Sequence, residues 1–294
     1  MKEFLIERLE SEILICDGAM GTMLSNAGFP PGESPEKWGL QNETKLKAIH
    51  AAYVKAGADI ILTNTFGGNA LKLAKFGLAD EVDSINRAAA ELAVGVAGEK
   101  VYAAGDIGPS GEFMEPLGTI TASQMHDAFA QQATALAEGG VDLIIIETMM
   151  DLNEMKTAIR AAKSATRLVV IASMSFNTDK QGFRTMMGVS PTDAATEMLE
   201  AGADIVGANC GDVEMKRMPE LIAVMKAAGA KYIIVEPNAG APQVVNGQTV
   251  FPQTPDEMAV SVPEVVKAGV NIVGGCCGTT PEHIKAIVEK VSSL

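Results

Sequence analysis

Residues 271–283 read NIVGGCCGTTPEH: an apolar run enters two adjacent cysteines set among Gly274, Gly275 and Gly278, and Thr-Pro-Glu then opens a helix. Neighbouring residues of a regular strand point to opposite faces, so Cys276 and Cys277 can serve one centre only if the backbone bends there. Glycine permits that bend. The stretch therefore predicts a strand, a sharp turn and a helix, the repeating unit of α/β folds.

Working outward, the same unit recurs along the chain. Apolar runs rich in Ile and Val fill residues 13–17, 59–66, 101–107, 142–148, 168–176, 204–210, 232–238 and 271–277. AGAD, GGVD, AGAD, AGAK and AGVN introduce five of these runs, and glycine there suits the end of a preceding helix. Thr121 with Gln124 makes a capping box, while Ser190-Pro191, Thr254-Pro255 and Thr280-Pro281 each set a capping hydroxyl before a proline at the first helical position. The spacing predicts helices over 43–56, 80–97, 121–138, 152–164, 191–201, 214–228, 255–268 and 281–292. Eight continuous apolar strands, each followed by a helix, imply a parallel sheet covered by helices. With no domain break, the leading architecture is one α/β domain, a closed (β/α)8 TIM barrel over residues 1–294 with a short N-terminal helix. A doubly wound open sheet is the alternative. Residues 26–42, with Pro30, Pro31, Gly32 and Pro35, read as a loop over one end.

Bulk chemistry narrows the function. A hydrophobic content of 47% supports a large core, and a net charge of -14 without clustered Lys or Arg argues against a nucleic-acid partner. The N-terminus carries acids within its apolar pattern, unlike a signal peptide, and no apolar run approaches the roughly 20 residues that span a membrane. A cytoplasmic protein is expected, and its four cysteines then read as ligands or nucleophiles more readily than as disulfides.

In a barrel, functional groups come from the C-terminal strand ends. Those ends carry Asp17, Thr65 with Phe66, Asp106, Glu147, Ser175 with Asn177, Asn209 with Cys210, Asn238, and Cys276 with Cys277. The sixth and eighth strands are separated only by the seventh, so Cys210 can reach the vicinal pair. Three thiolates with one open position describe a catalytic metal site, and thiolate ligands favour Zn2+ over Mg2+ or Ca2+. The other reading makes Cys210, Cys276 and Cys277 ordinary buried thiols, as Cys16 is expected to be. No GxGxxG fingerprint occurs, no strand ends in lysine, and His50, His126 and His283 lie in helical segments. Dinucleotide, Schiff-base and His-triad chemistries are therefore disfavoured. Met20, Met23, Met149 and Met150 near the rim read as core filler or as an adaptable docking surface.

DGAMGT (17–22), TNTFGGN (63–69), NC (209–210), EPNAG (236–240) and GGCCGTTPEHI (274–284) together resemble the successive signatures of the homocysteine S-methyltransferase family. The pattern is most similar to the homocysteine-binding barrel of cobalamin-dependent methionine synthase, and it covers essentially the whole chain. DVEMKRMPELI after NCG departs from that pattern. The folate, cobalamin and activation modules of methionine synthases have no room in this sequence.

The resemblance implies a cytoplasmic zinc methyltransferase in methionine biosynthesis. Its cofactor would be Zn2+ on Cys210, Cys276 and Cys277, its substrate homocysteine, and its methyl source methylcobalamin on a separate corrinoid protein. Zinc removes the proton of a bound thiol, which makes the substrate sulfur nucleophilic. Asp17 and Glu147 would receive the substrate ammonium and backbone amides at Gly18 its carboxylate, with Phe66 walling the chain. Asn209 and Asn238 complete the candidate set, Asn238 as a ligand before substrate arrives. The same groups also admit plainer roles: a helix cap for Asp17, an ion-pair partner for Glu147, core packing for Phe66, and a turn former for Asn238. Other thiols, demethylation of a methylated sulfur compound onto a corrinoid, and S-methylmethionine or betaine as donor stay open.

Overall fold

The computed structural model describes residues 2–180, 182–245 and 248–294. Eight parallel strands form the centre: β1 (Leu14–Ile15), β2 (Ile60–Leu62), β3 (Tyr102–Ile107), β4 (Leu143–Met149), β5 (Val169–Met174), β6 (Ile205–Asn209), β7 (Ile233–Glu236) and β8 (Ile272–Val273). They pair in the order β1-β8-β7-β6-β5-β4-β3-β2, and a parallel bridge from Cys16 to Ile60 joins the two ends of the sheet. The architecture is the (β/α)8 barrel, with helices between successive strands.

Alternation along the strands sorts the core into two layers. Leu14, Cys16, Ile60, Leu62, Tyr102, Ala104, Leu143, Ile145, Ile205, Ile234 and Ile272 fill the barrel interior. Their neighbours, among them Ile15, Ile61, Ala103, Ile144, Ile146, Val206 and Val273, pack outward against the helices. Burying each large aliphatic side chain contributes about 1.5–3 kcal/mol, so a slip of one residue in any strand would be heavily penalised. The expected N-terminal helix, Leu5–Arg8, plugs the lower end: Leu5 and Leu9 join the interior layer, and Tyr102 donates to the Glu3 carbonyl at 2.7 Å.

Helices Glu43–Ala56, Pro191–Ala201 and Pro281–Ser292 keep their expected bounds, and the Thr121–Gln124 and Thr254–Glu257 capping boxes form. Several expected bounds shorten, the strands over 13–17 and 271–277 to two residues each and the helix over 214–228 to Met218–Ala227, and three changes have a local cause. Residues 255–268 divide into Pro255–Ala259 and Val262–Lys267, because Pro263 has no N–H to continue the first helix. Residues 26–42 are not all loop, since Ser34 caps a helix over Pro35–Gln41 with its hydroxyl accepting from Lys37 N at 3.3 Å. The strand expected over 59–66 ends at Leu62. Beyond it, hydroxyls compete for the backbone: Asp106 N donates to Thr63 Oγ1 at 2.9 Å and Thr65 Oγ1 to the Asp106 carbonyl at 2.7 Å. Among the described residues no helix is long and apolar enough to cross a membrane.

Candidate metal centre and substrate cavity

Two strand ends bring the three cysteines together. Cys210 follows β6, its N–H donating to the Glu236 carbonyl at 3.1 Å, with the backbone in the left-handed region at φ 55°. Beyond β8, Gly275 N donates to the Asp17 carbonyl at 3.2 Å and Cys276 N to the Pro237 carbonyl at 2.9 Å. Thr279 Oγ1 then donates back to the Cys276 carbonyl at 2.7 Å, which closes the bend. Glycine is needed at 278, where φ is 82° and a Cβ would lie 2.2 Å from Cβ of Phe251.

The result is a tripod: the Sγ atoms of Cys210, Cys276 and Cys277 all lie within 4.8 Å of one another. Among the described residues this is the group of three that could hold a metal ion. Without a cation the sulfurs share negative charge unequally. Hydrogen bonds, first from Cys276 and then Cys277, push the Cys210 thiol down to about 3. Cys276 and Cys277 are pushed up, Cys277 to about 12, chiefly by their contacts with Cys210. A metal ion would let all three ionise. The residues fit such an ion in a second respect. Asn238 Nδ2 donates to the Gly211 carbonyl at 2.7 Å, while its buried Oδ1 has no partner.

The tripod faces a cavity of about 680 Å3 at the C-terminal end of the barrel. That volume falls within the roughly 300–1,000 Å3 of small-molecule sites. Asp17, Gly18, Phe66, Glu147, Cys210, Cys276 and Cys277 all line it. Asn209 and Asn238 are not among the lining residues and sit behind them. Gly18 must be glycine, because a Cβ there would lie 2.7 Å from Thr279 Oγ1 and 2.9 Å from the Tyr53 hydroxyl. Phe66 packs its ring where a Cβ on Gly108 would be, at 2.5 Å.

Acids dominate the lining. Asp17, Glu36, Asp106, Glu147 and Glu236 contribute carboxylates, and no Lys, Arg or His lines it among the described residues. Asp17 is no helix cap; its Oδ2 accepts from Leu62 N at 3.0 Å and ties the end of β1 to β2. Burial pushes the carboxyls of Asp17, Asp106 and Glu236 well above the usual range, and their mutual repulsion adds to it. Burial likewise moves Glu147 up to about 7. Asp106 Oδ1 and Glu236 Oε2 are buried without partners. Glu36 is held in place by Ser34 Oγ at 2.6 Å and Gly67 N at 2.7 Å.

Glu236, the first residue of EPNAG, and Thr148 are cavity residues absent from the candidate set read from the sequence. Strand alternation finds the first, since Tyr232 and Ile234 point inward and Glu236 is the next residue of that set. Nothing local marks Thr148, whose left-handed φ of 60° is unusual for a β-branched residue. Of the rim methionines, Met149 is core, Met20 and Met23 pack against the core, and Met150 is exposed. Other exposed apolar side chains on loops after β3, β5 and β7 are Phe113, Leu117, Met186, Met187, Val244, Val245 and Val250.

A family profile described as homocysteine S-methyltransferase matches residues 14–291. The chain is 32% identical to the methionine synthases of Mycobacterium leprae (strain TN) and Mycobacterium tuberculosis (strain ATCC 25618 / H37Rv), with 98% and 99% of its length aligned. It spans 25% of the length of either relative. The crystal structure of the homocysteine methyltransferase MmuM from Escherichia coli, metallated form, superposes with a TM-score of 0.80 at 21% identity, covering 98% of this chain and 100% of that one. That likeness is one of fold.

Proposed function

Because the chain belongs to the homocysteine S-methyltransferase family, we propose that it methylates homocysteine to methionine on a zinc ion held by Cys210, Cys276 and Cys277. The observation that carries this reading is the thiol tripod, its sulfurs within 4.8 Å of one another, opening into the same cavity as Asp17 and Glu147. Zinc at that position would supply an open site for the substrate sulfur and remove its proton.

The remaining work belongs to side chains. An amino acid entering a partly dry cavity needs partners for both charged groups. Glu147 and Asp17 take the ammonium, whose charge favours their ionised forms over the protonated ones that burial otherwise promotes, and the backbone about Gly18 takes the carboxylate. Phe66 excludes water from the aliphatic chain. So oriented, the sulfur forms the new S–C bond with its own electron pair, while the pair of the donor's methyl bond leaves with the donor.

The proposed donor is a methylcorrinoid carried by a separate protein, and the apolar side chains on the loops after β3, β5 and β7 support it. Zinc K-edge spectroscopy tests the reading. Homocysteine should add one sulfur to the metal's coordination shell, and an unchanged spectrum would refute it. The acidic lining, without Lys, Arg or His among the described residues, favours a second donor class, cationic small molecules such as S-methylmethionine or betaine. Assays with these donors beside free methylcobalamin, run over a panel of thiols, separate the donors and the thiol substrates.

A further inference from the structure

Asn209 does not line the cavity, yet its carboxamide touches both halves of the site. The amide nitrogen offers two N–H groups and faces three acceptors: Glu147 Oε2, Thr148 Oγ1 at 2.6 Å and Cys276 Sγ at 3.8 Å. The amide oxygen accepts from Thr148 N and from Ser173 Oγ, each at 2.9 Å. Turning the amide over would set its NH2 against the Thr148 N–H and its oxygen against the Glu147 carboxylate. The group is therefore fixed, and two protons serve three acceptors, two from β4 and one from the bend beyond β8.

We infer that Asn209 is a positioning residue that couples occupancy of the amine subsite to the metal thiolates. The inference rests on the reading of Glu147 as a partner of the substrate ammonium. An ammonium on Glu147 satisfies that carboxylate and leaves an Asn209 N–H for the Cys276 sulfur. A hydrogen bond to an anionic sulfur is charge-assisted, so an Asn209 N–H turned to Cys276 stabilises that sulfur as a ligand of a bound metal. An amino acid in the cavity then tightens metal binding. By linkage, metal tightens the amino acid by the same factor.

The test measures zinc affinity by competition with a chromogenic chelator, with and without saturating L-norvaline, an amino acid that has no sulfur. The wild-type protein is expected to hold zinc about tenfold more tightly with norvaline bound, within the roughly 5–150-fold span of coupled sites. Asn209→Ser should bring that ratio close to one, whatever it does to zinc affinity itself. A purely structural role would shift the affinity and leave the ratio alone. Ser173→Ala removes one anchor of the amide oxygen without touching a cavity group, and should reduce the ratio part of the way. A wild-type ratio of one with norvaline demonstrably bound overturns the inference, as does an undiminished ratio in Asn209→Ser. If that variant does not fold, an undiminished ratio in Ser173→Ala decides against it in the same way. Calorimetry with norvaline separates the two levels. No binding at all defeats the amine subsite, and this inference falls with it, whereas binding without coupling defeats the inference alone.

Discussion

Thr148 follows Glu147 with a left-handed backbone, φ 60°, and from there its hydroxyl donates to the Glu147 carboxylate at 3.0 Å. A β-branched residue in that conformation costs on the order of 1–3 kcal/mol. The strain sits beside the group that the proposed mechanism uses to hold the substrate ammonium.

Thr148→Gly should therefore separate stability from binding. Glycine adopts φ 60° freely, so the backbone strain is relieved while the hydroxyl contacts to Glu147 and Asn209 are lost. We expect thermal stability unchanged or slightly raised and homocysteine affinity about tenfold weaker, the worth of roughly one hydrogen bond to a charged group. Differential scanning calorimetry and isothermal titration on one preparation check both halves.

Buried acids set the pH dependence of the metal-free protein. The Glu147 carboxyl lies at about 7 in the folded chain, raised from 4.5. Its folded state thus holds the proton more tightly than the unfolded state does. That contribution to stability is full below pH 4.5 and is lost as pH rises through about 7. Asp17, Asp106 and Glu236 are raised as well and act in the same direction, outnumbering the lowered Cys210 thiol, which acts in the opposite one. The melting temperature of the metal-free protein should fall between pH 5 and pH 8, and Glu147→Gln should flatten part of the slope.

Cys210→Ala and Cys276→Ala should abolish stoichiometric zinc binding and methyl transfer while leaving a folded barrel. The interior layer of Leu14, Ile60, Leu143, Ile145, Ile205 and Ile234 is complete without the tripod. Metal analysis and far-UV circular dichroism check this, and unfolding of either variant would show a structural metal instead.

Gly18→Ala puts a methyl group 2.7 Å from Thr279 Oγ1 and 2.9 Å from the Tyr53 ring and hydroxyl. Overpacking of this kind costs about 1–3 kcal/mol. Relieving that clash displaces the backbone amides proposed for the substrate carboxylate, since the methyl group presses on Tyr53 and Thr279 behind them. KM for homocysteine should rise about tenfold or more, consistent with that energy.

Met187→Lys combined with Val244→Lys sets two charges on the apolar rim, far from the sulfurs in sequence and on loops after β5 and β7. If the methyl group arrives on a protein, transfer from that protein should fall about tenfold, since an unpaired charge buried in an interface is expensive. Transfer from free methylcobalamin should stay as in the wild type. Equal losses with both donors would remove the rim from the mechanism.

The repeating unit and the order of its members are legible in the residues alone. Strand runs, glycine-ended helices and the Ser-Pro and Thr-Pro caps are patterns within a few residues of one another, and local backbone chemistry is sufficient to produce them. GGCCGTTP with an upstream NC likewise marks the three thiols whose sulfurs lie within 4.8 Å of one another. Reading stopped where position depends on closure. The parity that turns Glu236 inward, the burial that raises four carboxyls, the placement of Asn209 and Asn238 behind the cavity wall, and the left-handed Thr148 follow from strand register around the ring. Register is set by pairings such as Asn209 with Glu236 and Cys16 with Ile60, between residues far apart in the chain. Only the closed barrel brings those partners together, and so only the tertiary structure decided which atoms share the cavity.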